Sequence, residues 1–257
     1  MVTFRSLIVF AGCALVSCAS WQDFAARPSD WGAYPTQTWS VEGVGDWARL
    51  RRRDMTVGPF STADLDYSLW ATAPTQTRQT VGDEEDGVYL GTAQVGNTSN
   101  FAFTLMEGGV ALARIRCRQR HHQQSDVLGY ADDDERTELQ ELGAFFADLH
   151  CVAQPQTPSW AAWELSMQAT PWRPLSGVLQ AGSRQVAVIG STRSSVAELN
   201  MTTGYTLRQG QRSLMVVDRL RSQQLEYWPE LSAELSPALV AAAMALLLAN
   251  DPLEAGV

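Results

Sequence analysis

From Trp39 onward the chain alternates apolar and polar residues in short runs, the period of half-buried strands. It predicts strands at 39–44, 47–52, 66–71, 87–95, 100–106 and 110–119. Gly82-Asp83-Glu84-Glu85-Asp86-Gly87 and Glu107-Gly108-Gly109 supply turn signals between them. Over 131–151 the period changes. Leu139, Leu142, Phe145, Phe146 and Leu149 recur at helical spacing behind Asp132, Asp133 and Asp134, which suit a helix N-terminus, so an amphipathic helix is expected there. Strands resume at 161–168, 176–180, 184–190, 203–208, 212–219 and 223–228, with Ala181-Gly182-Ser183 and Gln209-Gly210-Gln211 as hairpin turns. Ser236-Pro237 then opens a last helix as N-cap and first helical position. Residues 238–249 are apolar on every face, and Asn250 closes them. Twelve residues of helix span about 18 Å, short of the ~30 Å of a bilayer core, so this helix must be buried in protein.

The order strands, helix, strands, helix predicts an α+β, mostly antiparallel fold. It has about twelve strands in two similar halves, 39–151 and 160–250, each followed by a helix, within one domain at 39–250 and a tail at 251–257. A shift of 102 residues pairs Phe103-Thr104-Leu105 with Tyr205-Thr206-Leu207, Gly108 with Gly210, Leu112 with Leu214 and Ile115 with Val217. It also pairs Phe145 and Phe146 with Leu247 and Leu248. In element order, though not in motif residues, this arrangement is similar to tubby-like and phospholipid-scramblase-like domains. The resemblance implies a barrel closed around the C-terminal helix and a lipid-facing role, and it carries no ligand residues across. The competing architecture is an open sandwich with the helix on one face.

The N-terminus reads as an address. Arg5 precedes an apolar run at 7–16, about half the length of a membrane span, and Leu15-Val16-Ser17-Cys18 follows. That tetrapeptide resembles the lipobox of bacterial lipoprotein precursors. The resemblance implies a signal peptide at 1–17, diacylglyceryl transfer to the Cys18 thiol, and Cys18 as the acylated N-terminus. Phe10-Ala11-Gly12-Cys13 is a weaker rival, and an ordinary cleaved secretory signal is the alternative. Ala19 stands where an aspartate would suggest inner-membrane retention, so the expectation is the inner leaflet of an outer membrane, facing the periplasm. Residues 18–38, with Pro28, Gly32 and Pro35, read as a lipidated tether. Their aromatics would pack on the domain, or Trp21 would sit among the headgroups.

Composition narrows the function. All 19 basic residues are arginine, against 28 acidic ones, and the net charge of −9 argues against a nucleic-acid partner. Past Cys18 only Cys117 and Cys151 remain, a disulfide pair in an oxidising compartment. The alternative is a Cys2His2 metal cluster drawing on His121, His122 and His150. Neither GxSxG, HExxH, a P-loop nor GxGxxG occurs, so no cofactor is expected. Asp64 and Asp66 form a carboxylate pair of the kind a glycosidase would need. Arg114, Arg116, Arg118 and Arg120 alternate with Ala113, Ile115, Cys117 and Gln119, so on a strand they share one face. They form a docking strip for phosphate or carboxylate, or else a solvated face neutralised by acids such as Asp132 to Glu135. Trp160, Trp163 and Trp172, among prolines, suggest an aromatic groove for a glycan or peptide, or simple packing. The leading reading is a lipid-anchored, non-enzymatic envelope module that binds a lipid, glycan or envelope protein. The alternatives are an envelope hydrolase and a structural docking module.

Overall fold

The computed structural model describes residues 25–33, 35–44, 53–82, 87–131, 136–158, 160–220, 223–231 and 235–253. Twelve strands form a closed, wholly antiparallel barrel. They are β1 (Gln37–Glu42), β2 (Thr56–Val57), β3 (Phe60–Gly82), β4 (Gly87–Glu107), β5 (Val110–Ala131), β6 (Arg136–Pro155), β7 (Trp163–Ala169), β8 (Ser176–Ala181), β9 (Arg184–Ser191), β10 (Gly204–Gln209), β11 (Arg212–Asp218) and β12 (Gln224–Tyr227). Each strand pairs with its neighbours in sequence, and β1 closes the ring against β12, with Gln37 opposite Tyr227. The side-chain alternation of strands accounts for the wall. In β7, Trp163, Leu165, Met167 and Ala169 are buried, while Glu164, Ser166 and Gln168 face out.

The interior is occupied by the chain itself. Helix α1 (Ser236–Leu248) has no polar face, and Pro237 to Leu248 are buried on every side in one core with the inward residues of the strands. Its end is well satisfied. Asn250 exchanges hydrogen bonds with the inward side chain of Gln119 at 2.7 and 2.8 Å, and Tyr67 Oη donates to Asn250 Oδ1. Arg219 donates to the carbonyls of Leu246 and Ala249. These bonds serve carbonyls that a helix C-terminus would otherwise leave orphaned. The start lies one residue earlier than expected. Leu235 is the N-cap, without a side-chain hydrogen bond, and Ser236 is already helical.

The described residues of 131–151 form no helix: Ala131 ends β5, and 136–151 make up most of β6. A β-bulge explains the misleading spacing. Along β6, Leu149, Ala147 and Phe145 pair with the inward row Gln119, His121 and Gln123. The register then slips, so that Gln124 meets Ala144 and Ser125 meets Leu142, while Leu139 falls opposite outward Leu128. An alternating pattern broken by one extra residue imitates a helical period. Pairing with β5 along its whole length decides the outcome. The two-halves expectation falls with it, because Phe145 and Phe146 lie on a strand and Leu247 and Leu248 in the helix. What remains is local: Gly108 and Gly210 both sit at positive φ in tight hairpin turns. The predicted strands at 87–95 and 100–106 are one strand, β4, and 66–71 is part of β3. The predicted strand at 47–52 lies outside the described residues.

Two features bear on function. First, β6 meets β7 only over 147–153, and β2 meets β3 only at Ser61 and Phe60, while β3 to β6 pair with one another up to the row Gly82, Gly87, Ala131 and Arg136. A four-stranded sheet therefore rises beyond the barrel rim. Its row Leu90, Leu128 and Leu139 is apolar and exposed. Second, within the stretch read as a tether, residues 25–31 are strapped to the wall. The Ala25 N–H donates to Asp218 Oδ2, Arg27 pairs with Glu226, and the Asp30 carboxylate accepts from the Ser213 N–H and hydroxyl.

Candidate anion-binding face

Strand alternation splits β5 into two rows. Ala113, Ile115, Cys117, Gln119 and His121 point into the barrel, and Arg114, Arg116, Arg118, Arg120 and His122 point out. The four arginines thus share one outer face, but their surroundings differ. Arg114 donates to the Asp64 carbonyl and the Thr104 hydroxyl. Arg120 pairs with Asp148, with its Nε 3.1 Å from Oδ1, and lies 5.2 Å from the centre of the Phe146 ring. Among the described residues Arg116 bonds only a neutral amide, Gln154 Oε1, at 3.2 Å. Arg118 forms no ion pair among the described residues and stands between Asn100 and His150 on the flanking strands. Among the described residues, self-neutralisation therefore reaches Arg120 and stops short of Arg116 and Arg118. The acids at 132–135 lie outside the described residues.

Small side chains on the neighbouring strands leave hollows around this pair. One, of about 360 Å³, is lined by Asp66, Ser68, Asn100, Arg116, Arg118 and His150. A second, of about 400 Å³, opens on the other side of His150, with Arg120, Asp148, Ser166 and Gly177. Gly177 is required where β8 pairs with β7, since a Cβ there would lie 2.0 Å from the Ser166 carbonyl oxygen. Arg116 and Arg118 are two residues apart on one strand, so their Cα atoms are roughly 7 Å apart and their long side chains can converge on one phosphate or carboxylate with charge-assisted bonds. Asp66 shares the hollow, so its positive side is that of Arg118.

His150 Nε2 lies 2.8 Å from Glu164 Oε1, and Ser166 Oγ donates to the same oxygen at 3.4 Å. The His150 hydrogen bond, then its charge, holds the Glu164 carboxyl below its ordinary value. Serine, histidine and glutamate meet here, but in the wrong order for a hydrolase. The histidine must lie between serine and carboxylate to take the hydroxyl proton, and here the carboxylate lies between. Asp64 and Asp66 straddle a bulge, with Asp64 at φ 52°, and both are exposed.

Cys117 and Cys151 are directly opposed on β5 and β6, both buried, with sulfurs 2.08 Å apart in a disulfide. The sulfurs meet across a ladder rather than at a helix end. His122 and His150 face out while His121 faces in, and no cluster of three metal-binding side chains exists among the described residues. The three tryptophans are not brought together. Trp163 is buried in the core, Trp160 packs against that core, and Trp172 is 76% exposed at the opposite end of β7. Cys18 lies outside the described residues.

His121 is a feature that the sequence did not announce. Its side chain is 3% exposed, its ring stands edge-on to Phe145, and neither ring nitrogen has a hydrogen-bond partner among the described residues. Burial, and secondarily the charge of His122, push its pKa below the ordinary 6.5. The unfolded chain then binds a proton below about pH 6.5 that the folded chain refuses. Stability should therefore be full above that pH and fall by up to about 1.4 kcal/mol per pH unit below it, until the folded-state pKa is reached. Urea midpoints at pH 7.5 and pH 5.5 measure this slope. His121→Leu should flatten it, and an unchanged slope in that variant would assign the pH dependence to other groups.

Neither a family model, a curated protein nor a solved structure matches the chain.

Proposed function

We propose that the protein is a lipid-anchored binding module of the bacterial envelope, acylated at Cys18, that takes an anionic group on its outer arginine face at Arg116 and Arg118. One observation carries this reading: the barrel is filled by its own helix, so a ligand must be met outside, and the outer wall presents Arg116 and Arg118 side by side, neither in an ion pair among the described residues, with Asp66 on the far side of their hollow. Barrels of similar size that carry ligands keep an open interior. The lipobox supplies the address, and the hollows beside His150 supply room for phosphate or carboxylate oxygens.

Two variants of the exported full-length chain test the two halves of the proposal. Cys18→Ser should move the protein from the membrane fraction to the soluble fraction and remove the mass of the acyl chains; unchanged fractionation and mass would overturn the anchor. Arg116→Gln with Arg118→Gln should weaken binding of inorganic pyrophosphate by roughly 100-fold or more, as expected for two charge-assisted hydrogen bonds of about 1.5–3 kcal/mol each. The same change with Arg120→Gln alone should be small, because Asp148 already holds that group. Equal effects from the two variants would move the site away from Arg118.

A further inference from the structure

The chain reaches the barrel at a fixed point, and that point sets how an anchored barrel can sit. Ala25 is 3% exposed, bridges Ser194 and donates its N–H to Asp218 Oδ2 at 3.1 Å, and the Ala26 N–H donates to the Arg193 carbonyl at 2.9 Å. Arg27 pairs with Glu226 and lies 3.6 Å from Asp218, and Trp31 Nε1 donates to Glu226 at 2.7 Å. Asp30 accepts from the Ser213 N–H at 2.8 Å. The strap thus descends the outside of β11 and β12, from the end where β11 finishes to the end where it begins, and there enters β1. Ala25, the first described residue, lies at the barrel end that carries the β9–β10 loop and the C-terminus of α1.

From Cys18 to Ala25 there are seven Cα steps, which span at most about 25 Å fully extended. Resting on the reading that Cys18 is acylated, we propose that the β9–β10 loop, residues 192–203, is held against the lipid headgroups. The opposite end, with the Gly108-Gly109 and Gly210-Gln211 turns, then faces the aqueous compartment. The loop suits an interface. The Ser194 hydroxyl accepts from the N–H groups of Val196 and Ala197, closing a tight turn that presents Val196, 57% exposed, beside exposed Arg193. An apolar residue next to a cation matches the boundary between acyl chains and phosphates.

The four-stranded extension rises from the same end but from the opposite wall, since β5 lies six strands from β11 around the ring. Beyond the last row shared with β7 it runs from Phe146 to Arg136, roughly 35 Å at about 3.3 Å per residue, which is longer than the tether can reach. The barrel therefore does not stand upright on this end. It leans toward its β9–β11 side, and the extension slants along or away from the lipid surface.

The test joins the mature chain, residues 18–257, through Cys18 to a maleimide phospholipid in phosphatidylcholine–phosphatidylethanolamine vesicles. With Cys117 and Cys151 bonded, Cys18 is its sole free thiol. A donor dye is placed through an azide-bearing residue at position 196 or at position 110, where Val110 is equally exposed at the other end. An acceptor dye labels the lipid. Energy transfer from position 196 should exceed that from position 110 by about twofold or more, because strands of about seven residues set the two ends roughly 20 Å apart. Inserting a Gly/Ser linker of about twenty residues between Ser20 and Trp21 should make the two efficiencies converge. Equal transfer without the linker, or stronger transfer from position 110, overturns the orientation. Chemical coupling fixes the anchor here, so such a result is distinct from a failure of Cys18 acylation in cells, which the fractionation of Cys18→Ser reads separately.

Discussion

Ala242→Asp is expected to abolish the folded state. Ala242 lies in the middle of α1 at 0% exposure, and its neighbours along the helix, from Ala238 to Leu248, are all apolar and buried. A carboxylate there would have no partner and no water. A change of this kind belongs with the rare substitutions that cost more than about 4–5 kcal/mol, against a total stability of about 5–15 kcal/mol for a domain. The added volume also has nowhere to go in a close-packed interior. Soluble yield and the far-ultraviolet circular dichroism of the exported protein measure the outcome. Leu246→Ala provides the graded version and should fold with a loss of about 2–5 kcal/mol in urea, as buried leucines do. If Ala242→Asp keeps the urea midpoint of the unmodified protein, the helix does not fill the barrel, and the argument that ligands are met only on the outside falls with it.

The second large effect concerns the cross-strand disulfide. Replacing both partners, Cys117→Ala with Cys151→Ala, should cost about 3–4 kcal/mol in the chain-entropy model for a separation of 34 residues, plus the packing lost with two buried sulfurs. The bond lies within the β5–β6 ladder directly beneath the outer arginines, because inward Cys117 alternates with outward Arg116 and Arg118. Loosening that ladder should therefore weaken pyrophosphate binding as well as stability. A urea midpoint unchanged by the double substitution would show that the bond contributes nothing to the folded state. A lowered midpoint with unchanged binding would show that the arginine face keeps its geometry without it.

Much of the wall was legible residue by residue. Strict alternation in Trp163-Glu164-Leu165-Ser166-Met167 made β7 plain, and the glycine turns at Gly108-Gly109, Gly182 and Gly210 marked hairpins that the structure contains. The C-terminal run had to be buried because it is apolar on all sides and too short to span a bilayer, and it is buried. The arginine row needed only the period of two. Which arginines are answered was not legible. Asp148 reaches Arg120 across 28 residues of sequence, and among the described residues no carboxylate pairs with Arg118. The segment 131–151 misled because a bulge opposite Gln124 and Ser125 offsets its alternation by one residue. Local spacing cannot distinguish an interrupted strand from an amphipathic helix when the deciding partner is another strand.

The sequence by itself determined the parts whose physics is local: strands from a two-residue period, turns from glycines able to take positive φ, and a helix whose uniform apolarity leaves burial as its only stable state. The tertiary structure alone decided the closing of β1 on β12, the pairing of 136–151 as strand, the burial of His121 with no hydrogen-bond partner among the described residues, and the strap from Ala25 to Trp31. Each of these depends on groups far apart along the chain, as in the Arg27–Glu226 pair separated by 199 residues. Such contacts are settled by which surfaces the collapsed chain brings together, and no single window of sequence contains both sides of that choice.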